Sequence, residues 1–243
     1  MHATIQKPVE EILESIGKKE KVFVVGCDNC AAKCSTGGHR ETEAMAARLE
    51  ASGREITGWC VPHPQGMSLC KLSNTSHVLR EEHGQELREA DVVVVLSCGQ
   101  GLHAVVDALE QTKQVLPGCD TIFGGETVSP GYVAEYCSLC GECVVASTGG
   151  LCPVTLCSKG LLNGPCGGAE EGGCEVDRRR DCGWQLILDR LDRLGKLDQK
   201  FRENGVRVKD HAKSTGPRAL VVREFEQEFD YGDQRHTVDT SRS

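Results

Sequence analysis

Asp91-Val-Val-Val-Val-Leu96 is apolar at five consecutive positions and runs directly into Ser97-Cys98-Gly99-Gln100-Gly101. A run this short, rich in β-branched residues and without a polar face, reads as a strand buried on both sides of a parallel sheet. Lys21-Val-Phe-Val-Val-Gly26 has the same character, and Arg54–Trp59 reads as another strand. Between these runs the period changes. Lys7–Gly17 carries Val9, Ile12, Leu13 and Ile16 on one helical face, and Leu102–Gln111 carries Leu102, Val105, Val106 and Leu109. Gly37–Gly53 reads as a helix closed by Gly53, and Ser76–Ala90 as a further helix. Lys113–Leu116 and Thr121–Phe123 form a last strand region. Strands alternating with helices predict an α/β fold with a parallel, doubly wound sheet, assigned to residues 1–126.

Composition narrows the function. Among 243 residues, 28 are Lys or Arg and 36 are Asp or Glu, a formal charge of −8. That argues against a nucleic-acid binder, whose phosphate contacts require a basic face. The longest aliphatic run falls far short of the roughly 20 residues that cross a bilayer. Met1–Glu20 lacks an apolar signal-like core, so a cytoplasmic location is expected. The outlier is cysteine, with 15 residues. In a reducing compartment disulfides do not persist, and clustered cysteines read as metal or cluster ligands or as redox catalysts.

After Gly125 the texture changes. Residues 124–183 hold 13 of the 28 glycines, and Cys137–Cys182 holds eight of the cysteines, without regular periodicity. Such a segment cannot bury a large apolar core, so metal is expected to hold it together. Residues 127–200 are read as a cysteine-rich iron–sulfur domain. It closes on a helix at Cys182–Leu197, where Trp184, Ile187, Leu188, Leu191 and Leu194 restore a stripe. Residues 201–243 read as a polar tail suited to docking a partner. Leu220–Val222 is a candidate strand or docking segment there, and disorder or partner-dependent order is expected past Tyr231.

Cys137-Ser-Leu-Cys140-Gly-Glu-Cys143 is C-x2-C-x2-C, in which one tight turn aims several sulfurs at one centre. It matches the opening of the bacterial ferredoxin run, whose fourth cysteine comes after three residues, is followed by proline and often serves another cluster, whereas here eight residues intervene. Here that cysteine is Cys152, before Pro153, followed by Cys157, Cys166, Cys174 and Cys182. Eight thiolates suit two four-ligand sites, read as two [4Fe–4S] clusters. The alternative is a pair of zinc-ribbon-like sites that staple the loops, making the chain a structural zinc-binding scaffold without a redox role. Spacing leaves open how the eight divide. Glycines near these ligands, Gly141, Gly149, Gly150, Gly164, Gly167 and Gly168, let N–H groups approach sulfur and tune a cluster potential.

The N-terminal set, Cys27-Asp-Asn-Cys30-Ala-Ala-Lys-Cys34, is C-x2-C-x3-C directly after a strand. Radical S-adenosylmethionine enzymes use the opposite order. Three cysteines need at least one more ligand, and ligands in open α/β sheets gather at the carboxyl ends of strands. Cys60, Cys70, Cys98 and Cys119 are all placed to supply it. Cys98 and Cys70 are the candidates, with zinc or a cluster both fitting, while Cys60 and Cys119 read as small buried hydrophobes. Gly99-Gln-Gly101 with Leu102, His103 and Ala104 spells G-x-G-x-x-A, a weak dinucleotide signal lacking a placed acidic partner. A self-sufficient iron–sulfur enzyme would use that turn for a cofactor. His39, His63, His77, His83 and His103 are scattered and form no ligand or nucleophile pair. Asp28 reads as a turn residue and Arg178–Arg180 as a solvated loop.

Gly150-Leu-Cys-Pro-Val-Thr-Leu-Cys157, Lys159-Gly-Leu-Leu-Asn-Gly-Pro-Cys-Gly-Gly168, Gly173-Cys-Glu-Val176 and Asp181-Cys-Gly-Trp-Gln-Leu186 form a distinctive set. With Lys7-Pro-Val-Glu-Glu-Ile-Leu13, Val24-Val-Gly-Cys27, Gly37-Gly38 and Leu96-Ser-Cys-Gly-Gln-Gly101, it resembles the zinc and iron–sulfur subunit of bacterial and archaeal methylenetetrahydrofolate reductases, the methylenetetrahydrofolate reductase C-terminal domain family. The resemblance covers about residues 7–200. Pro117-Gly-Cys-Asp-Thr121 departs from the family's strand-end pattern, and the tail beyond about 218 has no counterpart in it. The resemblance implies a non-catalytic subunit that relays electrons from a donor to a separate catalytic subunit. That donor would be a ferredoxin or a heterodisulfide-reductase-like subunit. The catalytic subunit would be a flavin-bearing TIM barrel converting methylenetetrahydrofolate to methyltetrahydrofolate in one-carbon metabolism. It also implies electron relay through the C-terminal sites, and zinc or a third cluster on Cys27, Cys30, Cys34 and Cys98.

Overall fold

Four parallel strands organise the first half of the chain in the computed structural model, which describes residues 1–62, 67–129, 131–198 and 206–214. The chain opens with β1 (His2–Gln6) and α1 (Val9–Glu14), followed by β2 (Lys21–Gly26), α2 (Cys30–Lys33), α3 (His39–Ala51) and β3 (Glu55–Cys60). Next come α4 (Leu72–His77), a wide helical turn at Val78–Glu82, α5 (Gly84–Glu89), β4 (Val92–Leu96) and α6 (Gly99–Ala108). Then come β5 (Gln114–Pro117), β6 (Cys119–Gly124), β7 (Glu126–Ser129) and β8 (Tyr132–Ala134). The cysteine-rich stretch holds a tight turn at Val145–Thr148, the one-turn α7 (Pro153–Leu156) and α8 (Gly183–Arg193).

The main sheet runs β3-β2-β4-β5, every pair parallel. Alternation along the strands sends residues to opposite faces. Phe23, Val25, Val93 and Val95 pack with Leu79, Leu87 and Val105, beneath the Val78–Glu82 turn, α5 and α6. Val22, Val24, Val92, Val94 and Leu96 pack with Ile12, Met45 and Leu49, beneath α1 and α3. The protein is therefore mixed α/β with helices on both faces of a parallel sheet. All five β4 residues are buried completely, as their unbroken apolar run requires.

Three elements depart from the sequence-based expectations. The last strand region divides. β5 joins the parallel sheet, whereas β6 leaves it to pair antiparallel with β1, His2 opposite Gly124 and Gln6 opposite Cys119. β1 itself was not anticipated, because five residues of mixed polarity show no clear period and its partner lies far along the chain. The expected helix Ser76–Ala90 starts earlier, at Leu72, and breaks at His83 (φ −121°), so it becomes α4, a wide turn and α5. The β7–β8 hairpin lies in a stretch that periodicity left irregular.

The C-terminal stripe forms α8, where Trp184, Ile187 and Leu191 are buried with Cys182. Asp177 accepts from Arg179 and forms an ion pair with Arg180, so that basic run folds back on its own turn. His63, Leu220–Val222 and the residues past Tyr231 lie outside the described residues. Among the described residues no helix is long and apolar enough to cross a membrane.

Candidate metal centres

The sheet order brings the N-terminal cysteines to one place. β2 is the first parallel strand and β4 the third, and they lie side by side, so the winding direction reverses between them. In open α/β sheets the crevice outside such a reversal is where ligands bind. Gly26 is the register partner of Leu96, so Cys27 and Cys98 leave neighbouring strand ends. Cys27 and Cys98 are both buried. The Cys27 carbonyl accepts from Ala32 N–H (3.1 Å) and its N–H donates to Gly37 (2.7 Å), which curls the triplet into the short helix α2. Gly37 is required there, because a Cβ would strike the Leu96 carbonyl.

Cys98 occupies the N-cap of α6. Burial pushes its thiol pKa up, the N–H groups of Gln100 and Gly101 pull it back, and the thiols of Cys30 and Cys27 oppose its ionisation. Such N–H donors stabilise a thiolate. The same contacts answer the dinucleotide question. Gly99 N–H donates to Thr121 Oγ1 (2.9 Å), and a Cβ on Gly101 would meet Ser97 and Leu69. The turn's donors and its open space are thus taken up by Cys98, Thr121 and local packing.

Cys119, read from sequence as a buried hydrophobe, faces Cys34 and Cys98. Burial pushes its thiol up to about 12, and those neighbours add to the rise. Its Sγ lies 3.6 Å from the Thr36 carbonyl, and a hydrogen bond with the Thr36 side chain pulls the thiol partly back. Cys119 begins β6 just beyond β5, so the strand-end rule that places Cys98 places it as well, and its nearness to Cys34 and Cys98 argues against reading it as a mere buried hydrophobe. Cys60, at the end of β3 in register with Val25 and in the same core cluster as Cys27, is buried, and its thiol is pushed up by burial and then by Glu82 and Glu86. Cys70 is exposed, on a loop tied to the triplet by Asn29 Nδ2 donating to Ser68 Oγ (2.6 Å).

In the cysteine-rich stretch, backbone donors aim at sulfur. Leu139 N–H approaches Cys137 Sγ at 3.4 Å, and Gly168 N–H approaches Cys166 Sγ at 3.4 Å. Leu139 takes a left-handed φ of 53° to do so. The Cys140 thiol is held below its ordinary range, chiefly by a backbone hydrogen bond from Glu142 and then by Lys209. Cys174 is lowered too, chiefly by the Ser158 hydroxyl, which lies 3.5 Å from its sulfur. Lys159 pairs with Glu175, and both touch Cys166. A segment from Val206 onward crosses two loops. Arg207 exchanges two hydrogen bonds with Asn163, at 2.7 and 3.0 Å, and Asp210 N–H donates to the Glu142 carboxylate at 2.9 Å.

All 15 cysteines are free thiols. Among the described residues no three His, Cys, Asp or Glu side chains converge closely enough to hold a metal ion as they stand. The donor chemistry nevertheless fits one. The stretch offers an all-sulfur set, N–H groups pointing at those sulfurs, and two thiols already biased toward the thiolate that a soft metal binds.

Residues 116–212 match the family model described as "Methylene-tetrahydrofolate reductase C terminal". This segment is similar to that family. The match begins in β5 and ends within the crossing segment, so the reductase C-terminal segment includes all eight cysteines from Cys137 to Cys182. Association with methylenetetrahydrofolate reductase, and hence with one-carbon metabolism, follows from the match. No curated protein and no solved structure matches the chain.

Proposed function

We propose that this chain is the electron-transfer accessory subunit of a methylenetetrahydrofolate reductase. It would relay electrons through [4Fe–4S] clusters in the cysteine-rich stretch to the flavin of a separate TIM-barrel catalytic subunit. That subunit converts methylenetetrahydrofolate to methyltetrahydrofolate. The single observation carrying this reading is the family match over the segment in which sulfurs receive backbone N–H donors.

When bound, a cluster supplies a one-electron carrier whose potential depends on charge, hydrogen bonds to sulfur and burial. The chain's own residues supply those levers. Leu139 and Gly168 N–H groups orient Cys137 and Cys166 and stabilise charge on them. Lys159 and Lys209 place positive charge beside Cys166 and Cys140. Trp184, Ile187 and Leu191 keep water from the side that carries Cys182. Cys27, Cys30 and Cys34 with Cys98 would hold zinc or a third cluster at the sheet's switch point. Cys70 is the other source of a fourth ligand.

The experiment is anaerobic purification of the full chain, with iron, labile sulfide and zinc counted per chain. A brown protein whose broad visible absorbance bleaches on reduction is expected. It should also reduce the flavin of the cognate catalytic subunit when a low-potential ferredoxin is supplied. A colourless protein containing zinc alone replaces the relay with a structural scaffold.

A further inference from the structure

We propose that the eight C-terminal cysteines divide by chain position. Cys137, Cys140, Cys143 and Cys152 form an outer site, and Cys157, Cys166, Cys174 and Cys182 form an inner one. The division rests on the metal-binding reading of this segment, but not on which metal is bound.

The outer group is assembled by a single hydroxyl. Thr155 Oγ1 donates to the Tyr136 carbonyl at 3.2 Å and lies 3.5 Å from the Cys152 carbonyl. Tyr136 precedes Cys137, so this bridge sets Cys152 against the start of the C-x2-C-x2-C loop. Cys140 and Cys143 follow within that same loop.

The inner group closes as a ring of contacts. A Cβ on Gly183 would strike the Leu156 backbone. The two backbone segments therefore touch, and Cys182 sits beside Cys157, with both packed against the α8 core. Cys182 N–H donates to Gly172 at 2.7 Å, and Cys174 N–H donates to Arg180 at 2.8 Å, which ties Cys174 to Cys182. Cys174 Sγ meets the hydroxyl of Ser158, the neighbour of Cys157. Gly168 abuts the Glu175 carboxylate, and Glu175 and Lys159 both touch Cys166. Two of these links run from sulfur, Cys174 to Ser158 and Cys166 to Glu175, and the other two run through the backbone beside Cys182.

Cys152 and Cys157 flank α7 on either side, so sequence distance alone would put them in one site. At a rise of about 1.5 Å per residue, the four residues of α7 span about 6 Å. The two sites are neighbours across one helical turn, which is the arrangement a relay needs. They also differ in depth. Cys137 and Cys143 of the outer group are exposed and none of that group is buried, while in the inner group Cys174 and Cys182 are buried and only Cys166 is exposed. The outer site is the one that faces a donor or acceptor protein.

The test uses paired substitutions in the full chain, purified without oxygen, with metal counted per chain. Cys137→Ala, Cys152→Ala and the double variant should each lose one site's metal, the double no more than either single. Cys157→Ala combined with Cys182→Ala should behave the same way. Cys152→Ala combined with Cys157→Ala should lose both sites' metal. If the Cys137/Cys152 pair loses both, or the Cys152/Cys157 pair loses only one, the division is wrong. The counting works for iron or zinc, so a zinc-only protein overturns the relay while still judging the division. Absence of any metal in the parent protein overturns both. Should the alanine variants fail to fold, Lys159→Met and Lys209→Met decide it with every ligand intact. Each should move one of the two reductive transitions, and not the same one; movement of the same transition by both refutes the division.

Discussion

Gly26 and Leu96 are partners in register across two parallel strands, so Cys27, one residue past the first, and Cys98, two past the second, leave neighbouring strand ends. This is why a cysteine 71 positions away can complete a local triplet. Cys98→Ala should therefore remove the N-terminal metal as fully as Cys27→Ala does. Cys60→Ala should leave it in place, because burial and the carboxylates of Glu82 and Glu86 hold the Cys60 thiol protonated although it packs in the same core as Cys27. Metal analysis of the three variants checks this. Loss of that metal in Cys70→Ala with retention in Cys98→Ala would assign the fourth ligand to the Cys70 loop.

Cys119 gives a pH dependence with a definite sign. Burial raises its thiol from 9.0 to about 12, so the folded chain holds this proton more tightly than the unfolded chain. The associated stability is complete below pH 9.0 and is lost as pH rises toward 12. At about 1.4 kcal/mol per tenfold change in proton affinity, the loss reaches about 4 kcal/mol at the alkaline end. Cys119→Ala should accordingly show a shallower fall in urea stability than the parent above pH 9.0. A parent protein that, when metal-loaded, shows no such fall would have its Cys119 proton displaced by metal, making Cys119 a ligand.

The fold and the site were legible to different depths. β2, β4 and α3 came from local periodicity, which the chain displays wherever a face is buried against the sheet. The Cys27 triplet and Cys98 followed from the strand-end rule. β1 and β6 did not, because their pairing joins His2 to Gly124 and local pattern cannot see across that separation. The proximity of Cys119 to Cys34 was hidden for the same reason. In the second half, loops carry the cysteines, and their grouping depends on contacts such as Gly183 against Leu156. Such contacts leave no period in the sequence, only an unexplained glycine beside a cysteine.

Gly167 sits between Cys166 and Gly168 at a left-handed φ of +83°. Its successor's N–H reaches the Cys166 sulfur only because the backbone turns there. Gly167→Ala places a Cβ in a conformation that costs roughly 1–2 kcal/mol for an L-residue. The chain should relax by pulling the Gly168 N–H off sulfur. Losing a donor to a charged sulfur disfavours the reduced form, so the reduction potential of the inner site should fall. Potentiometric titration of the variant measures it, and an unchanged potential would show that this N–H does not tune the centre.

Among the described residues Trp184 is the largest fully buried side chain, and it packs in the α8 core with Ile187 and Leu191. Its Nε1–H donates to the Leu161 carbonyl at 2.8 Å, which pins the loop between Cys157 and Cys166 onto the helix. Trp184→Phe keeps most of the apolar contact but leaves that carbonyl unpaired, at a cost of about 1–3 kcal/mol. Trp184→Ala removes the packing as well, at about 3–5 kcal/mol. In a stretch with so small an apolar core, the second loss should release the inner site's metal, whereas Trp184→Phe should retain it. Metal retention during thermal unfolding, followed by circular dichroism, separates the two. Equal retention by both variants would mean that the metal holds this loop without help from α8.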